Sequence, residues 1–326
     1  MREKVDGNSG ILKEIDRHIS KILKKYVGLS EYYIKNSNNF VDKARDLKVE
    51  EDEELVSYDG TALYPSVPRK DALEIVQKRL EEDVDLEKKT KMKPKTIIDL
   101  LSFLLENTYF IFNSKIYLQT DGLAIGAAIA GFMAEIYMEE FEKRALNTFI
   151  EPPTLWRRYV DDTICKLKRE MVETYLQHLN SIHPRIIFTT EMMKNGKLPF
   201  LDTEIHLKED GSIKFKIYRK ETHTDQYLQF TSNHHISQKL GIVSTFNQRI
   251  ETIVTDEKDK KEERERMENK MKKCGYPEWT FKRKKRMNKG EREKTKIPYV
   301  KTTSEKIAKV YKKYGIETIF KLSHTQ

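Results

Sequence analysis

The stretch RRYVDDTICK (157–166) places two adjacent carboxylates, Asp161 and Asp162, between two runs of strand-forming residues. Neighbouring side chains of one strand point to opposite faces of a sheet, so a half-buried strand cannot hide both charges. Two close carboxylates also repel each other unless a cation lies between them. The pair therefore predicts either a solvated hairpin turn or a divalent-metal site at the tip of a hairpin. A third carboxylate from elsewhere in the chain would favour the metal site.

Asp59 is the candidate third carboxylate, because it directly follows a strand predicted over Leu55 to Tyr58. Tyr64 lies five residues further on. A nucleic-acid polymerase palm requires this arrangement, since it holds two Mg²⁺ ions about 3.5–4 Å apart between carboxylates of two strands. The spacing therefore predicts nucleotidyl transfer with two Mg²⁺ ions, or with Mn²⁺ as the alternative. The carboxylates that would bind the ions are those of Asp59, Asp161 and Asp162.

Composition limits where the protein acts and which ligands a metal would have. The 326 residues are 38% hydrophobic and 35% charged, enough for a sizeable core under a highly charged surface. The longest apolar run, Leu123 to Met138, is shorter than the ~20 residues of a membrane-spanning helix, and the N-terminus does not resemble a secretory signal. We expect an intracellular protein, nuclear or cytoplasmic, that is neither secreted nor bound to a membrane. Its two distant cysteines, Cys165 and Cys274, exclude a disulfide framework and a thiolate-rich zinc site.

Positive charge is concentrated towards the C-terminus. Residues 256–296 contain 17 Lys and Arg against 10 Asp and Glu, whereas the whole chain has a net charge of +9. The densest part is FKRKKRMNKG (281–290), which predicts either contact with a polyanion or a solvated, mobile segment or localisation signal. Contacts with a nucleic-acid backbone would then come from Lys282, Arg283, Lys284, Lys285 and Arg286.

The spacing of apolar residues predicts helices mixed with antiparallel strands and no regular βαβ repeat, which indicates an α+β fold. Helices are predicted over 11–48, 70–82, 96–107, 124–146 and 170–181. Strands are predicted over 55–58, 115–119, 155–160, 163–167, 185–192, 200–207 and 212–218. Residues 232–250 predict two helices with a turn at Gly241, a pattern of either a polymerase thumb or a helix-turn-helix module, of which the thumb fits the chain order better.

With these motifs the chain resembles reverse transcriptases, and more closely the reverse-transcriptase domain of Penelope-like retroelements, with a shortened N-terminus. The resemblance runs from about Tyr33 to the end of the chain. The matching stretches are SYDGTALYPSVP (57–68), QTDGLAIGAAIAGFMAEIYMEEFE (119–142), RRYVDDT (157–163), NGKLPFLDTEI (195–205), YRKETHTDQYLQFTSNHHISQKLGIVSTFNQRI (218–250) and IPYVKTTSEKIAKVYKKYGI (297–316).

The resemblance implies an α+β fold with a polymerase palm-type antiparallel sheet, packed helices, reduced fingers, a helical thumb and a basic C-terminal extension. The expected segments are a helical remnant of the fingers and palm entry (1–50), the palm (51–217), a thumb-like or helix-turn-helix segment (218–255), a charged basic linker (256–296) and a C-terminal helical segment (297–326).

The resemblance also implies roles for single residues in the palm. Asp59 matches the first catalytic carboxylate, Asp161 the second and Asp162 its neighbour, with the Gly60 carbonyl as a further metal ligand. Tyr64 falls where the family carries the aromatic residue that crowds a ribose 2′-hydroxyl and so favours deoxynucleotides. An ordinary core aromatic is the alternative reading of that position.

Two further groups of residues are implied to contact the substrates. Nucleotide binding is expected at Tyr64, Gln119, Gly122 and Gly126, although the glycines also fit a plain helix N-terminus. Support of the primer and template is expected at Tyr159, Leu198, Phe200 and Leu201, with Asp202 in the same hairpin. Phe200 and Leu201 equally fit buried strand positions.

The sequence departs from the family in ways that leave two functions open. Ala127, Ala128 and Gly131 stand where the family carries Ser-Pro and a second proline, so the loop should be more helical. With 58 residues before Asp59 we expect reduced fingers, and no GIY-YIG nuclease is visible within these 326 residues. The first hypothesis is an RNA-directed DNA polymerase acting on an RNA template, a DNA primer and deoxynucleoside triphosphates. The second is a decayed or domesticated fragment that serves as a nucleic-acid-binding scaffold.

Overall fold

The computed structural model describes residues 10–282 and 294–321. The chain divides into two compact units, Met1–Ile213 and Lys214–Gln326. The predicted mixture of helices and antiparallel strands is confirmed, whereas the five predicted segments remain predictions.

The first unit contains most of the regular structure. Its helices are α1 (Gly10–Leu23), α2 (Ser37–Ala44), α3 (Leu63–Ser66), α4 (Arg69–Glu81), α5 (Leu86–Lys89), α6 (Pro94–Glu106), α7 (Ala128–Thr148) and α8 (Val172–Ile182). Its strands are β1 (Glu53–Gly60), β2 (Tyr109–Phe112), β3 (Lys115–Leu118), β4 (Leu155–Tyr159), β5 (Asp162–Lys168), β6 (Phe188–Met192), β7 (Lys197–Phe200) and β8 (Thr203–Leu207). Strand β9 (Ile213–Ile217) begins at the last residue of this unit.

A four-stranded sheet in the order β4-β5-β1-β6 forms the centre of the first unit. Strand β1 pairs antiparallel with both β5 and β6, and β4 pairs antiparallel with β5. Val56 and Tyr58 of β1 are fully buried and belong to one core with side chains of α1, α4, α6, α7 and α8. This core packs against the sheet and supports the pairing that brings the C-terminal end of β1 next to the N-terminal end of β5.

The single helix predicted over 11–48 is wrong. After α1, a short 3₁₀ turn (Lys24–Tyr26) leads to Gly28, which adopts a φ of +71° that favours glycine. The chain then runs alongside β4, where the Ile34 N–H donates to the Arg158 carbonyl at 2.9 Å. Helix α2 starts afresh, with the Asn36 side chain accepting the Asn39 N–H. Long-range pairing with β4 therefore overrides the helical spacing of the sequence.

The short hairpins also differ in part from the prediction. Strand β3 is confirmed, but its partner β2 was missed. The strand predicted over 200–207 is in fact two strands, β7 and β8, separated at Leu201, which has a φ of +55°. The predicted turn at Asp210-Gly211 is confirmed, since the Lys208 N–H donates to the Ser212 carbonyl at 2.8 Å.

The second unit contains α9 (Ile236–Ile253), α10 (Glu257–Lys273), β10 (Lys294–Pro298), α11 (Thr303–Lys313) and β11 (Glu317–Lys321). The predicted turn at Gly241 is wrong, because α9 runs through that residue. One interior glycine costs a helix only about 1 kcal/mol, which tertiary packing offsets. The turn lies instead before α10, where the Asp256 side chain accepts the N–H groups of Lys258 and Asp259. Much of the segment expected to be a charged linker is therefore helical.

Two small features complete this unit. Helices α9 and α10 enclose a small core, which consists of Val243, Ile250, Met267, Met271, Cys274 and Tyr276. Strands β10 and β11 are parallel, and α11 connects them. Within residues 10–282 and 294–321, no helix combines the length and apolar character needed to cross a membrane.

Candidate active site

The tip of the β4–β5 hairpin carries the two adjacent aspartates in a strained turn. Tyr159 pairs with Asp162, which leaves Val160 and Asp161 as the two turn residues. Val160 has a φ of +58°, a value that β-branched residues rarely adopt. Positive φ at the first position of a two-residue turn is the pattern of a type II′ hairpin. Such strain costs about 1–3 kcal/mol and is often found at functional sites.

The three aspartates meet at one edge of the sheet. Asp59 is the direct register partner of Asp162, and the Gly60 N–H donates to the Asp161 carbonyl at 3.1 Å. The side chain of Asp59 is exposed, yet its pKa is raised, first by partial desolvation and then by the charge of Asp161. Two carboxylates, Asp59 and Asp161, are therefore close enough to repel each other.

The donor set fits magnesium only in part. Across residues 10–282 and 294–321, no group of three or more His, Cys, Asp or Glu side chains is arranged to hold one metal ion. Asp59 and Asp161 nevertheless offer two hard oxygen donors whose mutual repulsion a cation would relieve. Mg²⁺ is commonly bound by one or two carboxylates together with water and substrate phosphates, rather than by an all-protein cage. The pair fits that kind of site, in which substrate oxygens complete the coordination.

A buried ionic cluster holds the turn from behind. Arg158 is fully buried and donates to Glu142 at 2.6 Å and to Glu135 at 2.9 Å, both on α7. The same guanidinium donates to the carbonyl of Val160 at 3.0 Å, inside the hairpin turn. The two carboxylates raise the pKa of Arg158 despite its burial, so the arginine stays charged. The cluster thus ties the strained turn to the long helix.

Sequence reasoning missed this cluster, although a signal for it was present. Glu135, Glu139 and Glu142 lie at positions i, i+4 and i+7 of an otherwise apolar helix, and all three are buried. Glu139 accepts the Gly28 N–H at 2.9 Å and pairs with Arg79 at 2.7 Å. Three buried acids on one helical face require basic partners, because an unpaired buried charge is costly. That face therefore predicts arginines behind the site.

Tyr64 lies near enough to Asp161 to respond to its charge, while its role in nucleotide binding remains a prediction. It is half-buried, and a Cβ atom added to Gly131 would lie 3.8 Å from its hydroxyl oxygen. The pKa of Tyr64 is raised, first by burial and next by the charge of Asp161. Its carbonyl accepts the Leu123 N–H at 2.7 Å, which connects it to the loop that follows β3.

The loop at 119–126 passes so close to Tyr64 that only glycine fits at one position. Gly122 has a φ of +74°, and a Cβ atom there would lie 2.3 Å from the carbonyl oxygen of Pro65. Arg69 at the start of α4 secures the loop by donating to the carbonyls of Gly122 at 2.7 Å and Gln119 at 2.9 Å. Arg69 was also missed from the sequence, because its partners are backbone atoms. The nucleotide-binding roles of Gln119, Gly122 and Gly126 remain predictions.

The start of α7 corrects another expectation. The helix begins at Ala128 rather than at Ala124, and Gly126 has a φ of +108° that interrupts it. The Asp16 carboxylate accepts the N–H groups of Ala128 and Ile129, both at 2.8 Å. A carboxylate at a helix N-terminus satisfies free donors and complements the helix dipole. Asp16 therefore fixes the corner for which the missing prolines would otherwise provide rigidity.

The residues predicted to support a primer occupy two environments. Leu198 and Phe200 are buried, and the Phe200 ring packs edge-on against Phe40 at a centroid distance of 4.8 Å. Leu201 is half-buried at the β7–β8 turn, and Tyr159 is half-buried beside the aspartates. The alternative of a buried strand position thus holds for Phe200, while support of a primer by this hairpin remains a prediction.

The predicted basic contacts lie mostly outside the described residues. Lys282 is exposed and pairs with Glu278 at 3.6 Å. Arg283, Lys284, Lys285 and Arg286 lie outside the part of the chain that the structure describes.

Comparisons with known proteins support the fold and one module. Residues 226–286 match the model of the Animal helix-turn-helix domain, a range that includes α9 and α10. No curated protein matches the chain. The match favours the helix-turn-helix alternative for this region, with the turn before Asp256.

Two solved structures are similar over most of the chain. The telomerase of Candida tropicalis in complex with a TWJ fragment of telomeric RNA has 12% identity and a TM-score of 0.50, covering 94% of this chain and 48% of that one. The corresponding Candida albicans telomerase has 10% identity and a TM-score of 0.50, covering 81% and 48%. This chain spans about half the length of those proteins. The similarity shows a polymerase-like fold.

Proposed function

We propose that the chain is an RNA-directed DNA polymerase domain of the Penelope-like retroelement type, which extends a DNA primer on an RNA template. The observation that carries the proposal is the meeting of Asp59 and Asp161 at one sheet edge, with a raised pKa at Asp59. A polymerase-like fold and the stretches that resemble Penelope-like reverse transcriptases support it. One protein of similar fold, the telomerase of Candida tropicalis, forms a complex with a fragment of telomeric RNA.

In this proposal, two divalent ions would supply activation of the primer 3′-hydroxyl and stabilisation of the charge on the triphosphate. Asp59 and Asp161 would hold these ions, with the Gly60 carbonyl and Asp162 as further oxygen donors. The strained turn presents Asp161 at the hairpin tip, and Arg158 keeps the turn in place through the Val160 carbonyl. The chain thus contributes positioned negative charge rather than a proton-transfer group.

Tyr64 and the loop at 119–126 would shape the nucleotide pocket. The charge of Asp161 acts on the Tyr64 side chain, so an incoming ribose would approach the ring wherever the triphosphate binds near the aspartates. An aromatic wall rejects a 2′-hydroxyl by a clash and accepts a deoxyribose. Arg69 and Gly122 would keep the loop close beneath that pocket.

A second candidate function is a nucleic-acid-binding scaffold without polymerase activity. The helix-turn-helix match at 226–286 favours it, because such modules bind nucleic acid without metal chemistry. One measurement distinguishes the two candidates. A polymerase requires the aspartates for primer extension, whereas a scaffold binds nucleic acid without them.

The test is primer extension on a poly(rA) template with an oligo(dT) primer, in Mg²⁺ and separately in Mn²⁺. The native chain is compared with the double variant Asp161→Asn/Asp162→Asn. Asp46→Asn serves as the matched control, since Asp46 is an exposed aspartate in the loop after α2. Thermal unfolding of all three proteins verifies that each is folded.

We expect extension by the native chain and by Asp46→Asn, and none by the double variant. Equal background in all three proteins would contradict the polymerase proposal. RNA binding that falls with salt and is unaffected by the substitutions would then favour the scaffold.

A further inference from the structure

The β10–α11–β11 module (294–321) carries positive charge that its own acids do not balance. It contains eight lysines and two glutamates, a net charge of +6, with no arginine or aspartate. One of the acids, Glu305, accepts the Tyr299 hydroxyl at 2.8 Å. By contrast, α10 has eight basic and six acidic residues. Several of the acids of α10 pair with bases of the same unit, among them Asp259 with Lys214.

The lysines of α11 form a stripe on its outer side. At 100° per residue, the side that faces the strands consists of Ser304, Ala308 and Tyr311, which are buried or half-buried. The opposite side consists of the exposed residues Lys306, Lys309 and Lys313. Among the described residues, no carboxylate forms an ion pair with any of these three lysines. Three like charges are thus held on one face of a short helix.

An apolar flank runs beside the lysine stripe. It consists of Ile307, Val310 and Tyr314, which are 42%, 56% and 77% exposed. Tyr314 is the most exposed of the three and lies next to Lys313. Lysine ammonium groups neutralise phosphates without reading sequence, and an exposed aromatic ring can stack on any base. The combination is typical of surfaces that bind single-stranded nucleic acid.

We propose that the outer face of α11 binds single-stranded nucleic acid, with Lys306, Lys309 and Lys313 on successive phosphates and Tyr314 against a base. The inference rests on the proposed function only in taking nucleic acid as the ligand. Basic helices with an apolar side also lie on anionic membranes. Here the side opposite the strands is occupied by lysines, and the apolar flank is limited to three residues, so charge and a single aromatic favour the nucleic acid.

The test measures binding of fluorescent single-stranded RNA and DNA oligonucleotides to the full chain at several salt concentrations, in EDTA and without nucleotides. The variant is Lys306→Gln/Lys309→Gln/Lys313→Gln. The control is Lys70→Gln/Lys78→Gln/Lys88→Gln, which removes the same charge from exposed positions of α4 and α5. Tyr314→Ala and Tyr314→Phe test the stacking, and vesicles containing phosphatidylserine test the membrane alternative.

We expect the slope of log affinity against log salt to fall by about 2 in the α11 variant, because each lost phosphate contact on a single strand contributes ~0.7. The control should keep the native slope. Tyr314→Ala should weaken binding by about 5-fold or more, and Tyr314→Phe should not. An unchanged slope in the α11 variant, or lysine-dependent binding to vesicles alone, would overturn the proposal. Because no catalysis is involved, a failure of primer extension leaves this measurement unaffected.

Discussion

Two clusters of charge lie within a few residues of each other in the first unit, and they are built in opposite ways. At the turn, Asp59 and Asp161 repel each other at an exposed edge, so the pKa of Asp59 is raised. Directly behind it, Arg158 is fully buried between Glu135 and Glu142, and both ion pairs in that cluster join opposite charges. We call the first cluster unbalanced, because two like charges lie near each other, and the second balanced, because a cation lies between its two carboxylates.

The difference indicates which cluster serves the fold and which serves a ligand. Removing a buried arginine from between its two carboxylate partners leaves buried charge without a counterion, so its loss should damage stability. Two carboxylates that repel each other, one exposed and one half-buried, cost free energy unless something else binds them. Substitutions in the two clusters should therefore have opposite effects on stability and activity.

The largest expected effect is on activity, at the unbalanced cluster. Asp59→Asn removes one ligand of the proposed metal site, and loss of metal-assisted charge stabilisation worth several kcal/mol lowers the rate by at least about 10²-fold. The same change relieves repulsion, so stability without divalent metal should stay equal or rise. Primer extension and thermal unfolding in EDTA test the two parts. A variant that loses stability and keeps activity would reverse the assignment of the clusters.

The second effect is on stability, at the balanced cluster. Arg158→Met leaves two buried carboxylates without their partner and should lower the free energy of unfolding by about 3–5 kcal/mol. The control is Arg45→Met, which removes an exposed arginine paired with Asp42 at 3.3 Å and should change stability by less than about 1 kcal/mol. Urea unfolding measures both. Equal effects of the two substitutions would show that the buried cluster does not support the turn.

A third effect extends the comparison to a balanced carboxylate of the second unit. Asp259 is buried and pairs with Lys214 at 2.7 Å and with Lys216 at 2.8 Å. Burial opposes ionisation, but the two lysines outweigh it and lower the pKa of Asp259. Asp259→Asn should cost about 1.5–3 kcal/mol at neutral pH, since hydrogen bonds to charged groups contribute that much.

The sign of its pH dependence follows from the lowered pKa. The stabilisation by Asp259 is present above the pKa of the unfolded chain and is lost as the pH falls through the lower pKa of the folded state. The stability difference between the native chain and Asp259→Asn should therefore be constant near neutral pH and shrink below about pH 4. Denaturant unfolding at several pH values measures it. A difference that grew towards acid pH would contradict the pairing.

The smallest effect is expected at the corner before α7. Asp16→Ala removes two hydrogen bonds to the helix N-terminus and should cost about 0.5–2 kcal/mol. Asp16→Asn retains an acceptor and should cost less. If both variants match the native chain in thermal unfolding, Asp16 does not fix this corner.

The sequence predicted the local positions of the three aspartates better than the connections around them. The position of Asp59 after a strand and of Asp161 and Asp162 in a hairpin depends on local patterns, and the structure brings them to one edge. The break at Gly28 and the pairing of Ile34 with Arg158 depend on a partner more than a hundred residues away. Helical spacing in that region carries no information about such a partner.

The supporting residues were harder to predict for a related reason. Arg69 holds the loop through backbone carbonyls, which leave no trace in the pattern of side chains. Arg158 lies next to Arg157 in β4, and nothing in that strand distinguishes the buried arginine from its half-buried neighbour, although the buried acids of α7 required a base. The error at Gly241 was of the opposite kind, because the sequence predicted a turn that is absent. Helix α9 continues through this glycine and packs against α10.

The most direct test of the account is Mn²⁺ binding, measured by electron paramagnetic resonance in the presence of a non-hydrolysable deoxynucleoside triphosphate analogue. The native chain and Asp46→Asn should bind Mn²⁺ saturably, and Asp59→Asn and Asp161→Asn should each lose that binding. Equal Mn²⁺ binding by all four proteins would contradict the claim that the two aspartates at the sheet edge form one metal site.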